Sequence, residues 1–107
     1  MGLDQCQVVD AISIHRESGA VHLTIADSWD WDDEAAHLQA LQEKINAYLG
    51  FIQSGEIFAA YPNAVGRRLC IEILTRLPIP DSALWFLDEA ANVASKLSVA
   101  VRSRHVP

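Results

Sequence analysis

Five carboxylates, Asp27, Asp30, Asp32, Asp33 and Glu34, fall within eight residues, and His37 follows one helical turn later. Oxygen donors at that density suit Mg²⁺ or Ca²⁺, and a neighbouring imidazole extends the range to transition metals. Asp27, Asp30, Asp32 and His37 are therefore the candidate metal ligands. The spacing is not that of an EF-hand, which needs a central glycine and a distal glutamate. Trp29 and Trp31 straddle Asp30, and Trp85 sits in a later helical segment. Tryptophan is enriched at binding hot spots, so Trp29, Trp31 and Trp85 are the candidate partner-binding residues. Each feature also has a plainer use. The carboxylates can cap and solvate a helix start, Trp31 can staple that helix, and Trp85 can cover an edge of the core.

Other chemistries find less support. His15, His22, Cys70 and Glu72 fall on the polar sides of strand patterns. They would make a zinc-like donor set only if strand order brings them together. There is no nucleophile elbow, no phosphate-cradling glycine loop and no His-Glu-x-x-His. No catalytic residue and no cofactor are assigned. Gly66-Arg67-Arg68 leads into a strand, so no helix dipole helps it hold an anion. Cys6 and Cys70 show neither metal-ligand nor redox spacing, and are expected to be reduced thiols in a cytoplasmic protein.

Eight basic against fourteen acidic residues give a net charge of −6, without a dense basic stripe. Nucleic acid and anionic membrane are not expected partners. No apolar run reaches the ~18 residues of a membrane span, and no export signal is expected at the N-terminus. The length of 107 residues and the half-hydrophobic composition predict one domain over 1–107, with an ordered core about 8–102.

The elements that must position these residues follow from periodicity. Val8–His15 and Ala20–Ala26 alternate with period two, and Ser18-Gly19 reads as a two-residue turn between them. That turn pairs His15 with His22, Ser13 with Thr24, Ile14 with Leu23 and Ile12 with Ile25. A helix follows the acidic run, capped by Asp30 or Asp32. Its apolar stripe is Leu38, Leu41, Ile45, Tyr48, Leu49 and Ile52, and Ser54-Gly55 stops it. Glu56–Tyr61 reads as one more turn. Leu69–Thr75 is the third strand, and Asp81 or Ser82 caps a second helix with stripe Leu84, Leu87, Ala91 and Ala94. On that wheel Trp85 points outward. Leu97–Val101 is the last strand, and the tail from Ser103 to Pro107 frays. One strand side carries Ser13, His15, His22, Thr24, Cys70, Glu72, Leu74, Arg76, Ser98, Ala100 and Arg102. The order β-β-α-β-α-β predicts an α/β (α+β) fold: a two-layer sandwich with a mixed four-stranded sheet and both helices on one face. Strand order is left open.

Several stretches also stand in a familiar arrangement. They are Ile25-x-Asp27, Trp31-Asp32-Asp33, His37-Leu38, the run Leu41-Gln42-Glu43-Lys44-Ile45-Asn46-Ala47-Tyr48-Leu49, Phe51-Ile52-x-Ser54-Gly55-Glu56, Tyr61-Pro62-x-Ala64 and Gly66-Arg67. Over most of residues 8–101 the chain resembles a family of small, stand-alone bacterial proteins classed as a domain of unknown function, with Trp29 as a departure. The resemblance implies a bacterial, cytoplasmic setting and carries over no functional residue.

These observations favour a non-enzymatic protein-binding or adaptor module with an acidic, tryptophan-bearing surface. The alternatives are a metal-dependent enzyme on the Asp27–Asp32/His37 loop and a structural homodimer through the open sheet face.

Overall fold

Runs of β-branched and aliphatic residues with period two become strands, and the long run with steps of three and four becomes a helix. The computed structural model of the chain describes Leu3 and residues 9–106. Its elements are β1 (Ala11–Ile14), β2 (Val21–Asp27), α1 (Glu34–Gln53), α2 (Glu56–Ala60), β3 (Leu69–Thr75), α3 (Leu84–Ser95) and β4 (Val99–His105), with 3-10 turns at Pro62–Ala64 and Asp81–Ala83. The fold is α+β, with one four-stranded mixed sheet in the order β1-β2-β3-β4. β1 is antiparallel to β2, while β2, β3 and β4 run parallel. Each helical crossover therefore sets the next strand beside the one just left.

The core draws on alternate strand residues, Val21, Leu23 and Ile25 of β2 and Leu69, Ile71 and Ile73 of β3, with Val99 of β4. Leu41, Ile45, Tyr48, Leu49 and Ile52 of α1 and Phe86, Ala90 and Ala94 of α3 complete it. α1 ends as expected at Ser54, whose N–H reaches Gly50 O, and Gly55 takes the left-handed conformation (φ +84°) that glycine adopts without strain.

Several local expectations are corrected. The hairpin pairs Ile14 with Val21, Ile12 with Leu23, Ser13 with His22 and Ala11 with Thr24, a shift of two residues from the expected register. The loop is longer than Ser18-Gly19: His15 N–H bonds Ala20 O, Gly19 N–H bonds His15 O, and Gly19 lies at φ +72°. A slip of two preserves the faces, so the apolar set stays inward. β1 also begins later than the Val8–His15 pattern, whose first residue lies outside the described ones.

Asp33, not Asp30 or Asp32, caps α1, accepting the Ala36 N–H at 3.1 Å. Neither Asp81 nor Ser82 caps α3. A 3-10 turn precedes it, and the Ser82 hydroxyl donates to Glu34 Oε1 at 2.6 Å instead. The buried line of α3 is Phe86, Ala90 and Ala94, while Leu84 is exposed. Phe86, and not Leu84, fills the core from the first turn of the helix. The tail does not fray at Ser103: β4 pairs with β3 through His105, and Val106 N–H bonds Thr75 O. Ser98 leaves the strand side altogether, turning into β4 with φ +60°, and Arg76 lies beyond the end of β3.

Candidate functional site

The acidic loop folds inward at two points. Asp27, the last residue of β2, and His37, in the first turns of α1, are both buried, with His37 Nε2 2.6 Å from Asp27 Oδ2. The second ring nitrogen, Nδ1, lies 2.8 Å from the Asp30 carbonyl oxygen. A carbonyl only accepts, so Nδ1 donates to it, and because a carboxylate also accepts, a second hydrogen lies between Nε2 and Oδ2. The other Asp27 oxygen accepts the Trp29 N–H at 3.1 Å. Trp31 stacks on the imidazole, with centroids 3.7 Å apart and rings inclined by 19°, and Trp29 leans on it at 5.7 Å. The two loop tryptophans thus turn towards His37 and pack against the core. The Asp30 carboxylate is used locally, accepting the Asp32 N–H at 3.1 Å. Of the candidate metal ligands, Asp27 and His37 meet each other. Among the described residues no group of three His, Cys, Asp or Glu side chains converges as a metal site.

A second buried polar cluster was not foreseen from the sequence. Lys44, with a side chain 0% exposed, forms an ion pair with Asp10 at 2.8 Å. Asp10 Oδ2 also accepts the Ala26 N–H, and the Asp10 N–H donates to the Tyr48 hydroxyl. That hydroxyl in turn donates to Thr24 O at 2.6 Å. Burial pushes the Tyr48 phenol up to about 12, against an opposing hydrogen bond from the Asp10 backbone and with a smaller push from the Asp10 charge. Just before β1 begins, side chains of Asp10 and Tyr48 satisfy the backbone of β2. One signal was present: residues 37, 41, 44 and 48 step by four, three and four, which puts Lys44 on the buried stripe.

On the sheet side opposite the core residues, His22 and Cys70 are register partners, as are Thr24, Glu72 and Arg102. Glu72 lies 3.8 Å from His22 Nδ1 and 3.4 Å from Arg104 Nη2. His15 stacks on His22 at 5.0 Å and contacts the Ser18 hydroxyl. Cys70 is a free, buried thiol. Burial pushes its pKa up, Arg102 opposes that shift and Glu72 adds to it. Cys6 lies outside the described residues. Arg67 ties the hairpin loop to the 3-10 turn by donating to Gly19 O and Asn63 O.

Trp85 stands apart from these clusters. It is 59% exposed, edge-on to Phe86 at 6.1 Å. A groove of about 250 Å³ runs between α1 and α3 on one side of it, lined by Ile45, Leu49, Phe86, Glu89 and Val93 among others. A second groove, of about 570 Å³, also borders it, against Glu34, Leu38 and Gln42. Leu84 and Val93 extend the exposed apolar surface, at 45% and 48%. Of the three tryptophans singled out by type, this one faces solvent most fully.

A family model described as a family of unknown function (DUF6572) matches residues 1–106, and the chain belongs to that family. No curated protein and no solved structure matches it.

Proposed function

We propose that this DUF6572 protein is a non-enzymatic protein-binding module, an adaptor that docks its partner on the α1–α3 face around Trp85. The observation that carries this is the 59% exposure of Trp85 between two grooves. Exposed indole costs roughly 25 cal/mol per Å² of apolar surface. The neighbouring Phe86 already fills the core position, so packing gives no reason for a second aromatic beside it. A large ring flanked by concavities is the anchor-and-pocket pattern of protein interfaces. Trp29 and Trp31 then brace the acidic loop around His37 while Trp85 makes the contact.

The proposal carries a single domain in two layers, α1 and α3 covering one sheet face, in a bacterial cytoplasm where Cys70 stays a thiol. It also favours a binding role for the acidic loop's neighbourhood over a catalytic one. His37 is buried with both ring nitrogens engaged, which offers no atom to a substrate.

Affinity capture tests it. The full chain, Trp85→Ala and the opposite-face control Glu72→Gln serve as baits, and the captured protein is purified and titrated against each. The expected result is binding by the wild type and Glu72→Gln, with a loss of about tenfold or more for Trp85→Ala. Equal affinity for all three would place the docking surface elsewhere.

A further inference from the structure

We infer that the partner segment received by this face is a basic amphipathic helix, laid along the groove between α1 and α3. The inference rests on the protein-binding function proposed above and names the chemistry of its partner.

The shape comes first. Trp85, Glu89 and Val93 form one wall at steps of four on α3, and Ile45 and Leu49 of α1 stand opposite with Phe86 between. Eight residues of helix rise about 12 Å, or just over two turns. That length matches a helix contributing apolar side chains at spacings of i, i+4 and i+7. The groove of about 250 Å³ adjoins a second of about 570 Å³ around the same Trp85 and Phe86, so the concave surface extends along the helices and suits the side chains of a segment laid on it.

The charge comes second. Glu89 lines the first groove and the half-exposed Glu34 the second, while Glu43 on α1 and Asp88 on α3 are exposed outside the lining. No Lys or Arg lies within α3, and the single one within α1, Lys44, is buried against Asp10. Both helices therefore present carboxylates to solvent, and the exposed Lys96 stands at the C-terminal end of α3. Arg102 and Arg104 sit on β4, and the exposed Arg16, Arg67, Arg68 and Arg76 lie in loops. An apolar trough with an acidic rim selects a helix whose apolar stripe is flanked by Lys or Arg, and it repels an acidic one.

The probes are two fluorescein-labelled amphipathic peptides with the same leucine stripe, one with Lys and Arg on its polar face and one with Glu. Fluorescence anisotropy reads their binding to the full-length protein. The basic peptide should bind, and the acidic twin should bind at least about tenfold more weakly. Trp85→Ala and Val93→Arg should each weaken the basic peptide by about tenfold or more. Glu89→Lys should also weaken it, while Glu72→Gln should leave it unchanged. Circular dichroism melts confirm that each variant is folded, and Val93→Arg stands in if Trp85→Ala is not.

Equal binding of both peptides, or a basic peptide indifferent to both Trp85→Ala and Val93→Arg, would overturn the inference. So would Trp85-dependent self-association of the free protein in sedimentation velocity, because the occupant would then be a second copy. If a captured partner depends on Trp85 but the basic peptide fails to bind, the partner's chemistry is wrong and the docking face stands. If neither depends on Trp85, both fall.

Discussion

A lysine and a histidine occupy buried positions of α1, where an apolar stripe would ordinarily hold leucine, because Asp10, just before β1, and Asp27, at the end of β2, bring each an acid. Lys44 meets Asp10 and His37 meets Asp27, at 2.8 and 2.6 Å. A buried pair adds little over a well-packed apolar pair, but leaving one charge unpartnered is costly, about 3–5 kcal/mol. Lys44→Met should therefore destabilise the protein by about that amount in urea unfolding. Adding Asp10→Asn should recover part of the loss. A cost within ~0.5 kcal/mol, the range of ordinary surface substitutions, would mean that the pair is not buried in solution.

Tyr48 reports on the same cluster by titration. Its folded pKa of about 12 exceeds the ordinary 10.0, so unfolding releases a proton once the pH exceeds the unfolded value. Stability should be flat in this respect below pH 10 and should fall between about pH 10 and 12. Cys70, whose thiol is also pushed up, adds a fall in the same direction. The difference in melting temperature between the wild type and Tyr48→Phe, followed through that window, isolates the phenol. A difference that does not vary with pH would remove it as the cause. At this scale the sequence showed the residue types but not their pairing. Asp10 and Lys44 are 34 positions apart, and only the fold brings them together.

The elements were more legible than their edges. The α1 stripe could be read because Leu41, Ile45, Tyr48, Leu49 and Ile52 repeat at helical steps, and all five are buried. Leu41→Ala or Ile45→Ala should each cost about 2–5 kcal/mol in urea unfolding. The misread elements are those where a short-range signal competed with tertiary contact. The hairpin register moved by two because Gly19 closes a longer loop than a two-residue turn. Asp33 took the cap from two equally suitable aspartates nearby. β4 runs on through Arg102 and Arg104, a polar stretch that reads as a tail, because its backbone pairs with β3. Ending the chain after Arg102 removes those ladder bonds and the Val106–Thr75 contact. At roughly 0.5–1.5 kcal/mol net per hydrogen bond, the truncated chain should lose on the order of 2 kcal/mol. An unchanged unfolding midpoint would show that the tail pairing contributes nothing.

For the whole molecule, composition gave the net charge of −6 but not where it lies. Trp85 and the carboxylates around it became one surface only once α1 and α3 were side by side. The sequence wheel pointed Trp85 outward while misplacing the buried line of α3, so exposure and core must be tested together. Trp85 and Phe86 are adjacent in sequence, yet they are 59% and 7% exposed. Phe86→Ala should cost about 3–5 kcal/mol of folding stability, as for a core aromatic. Trp85→Ala should stay within ~0.5 kcal/mol, as for an ordinary surface position, while weakening partner binding. A Trp85→Ala loss of ~3 kcal/mol or more would make the indole a core residue and end the docking proposal. Salt distinguishes attraction at a distance from contact. Between about 0.1 M and about 1 M salt the screening length shrinks from about 10 Å to about 3 Å. The association rate of a basic partner should then fall steeply with salt while its dissociation rate changes little. A salt dependence carried by dissociation instead would place the decisive charges inside the contact and leave the acidic rim without a steering role.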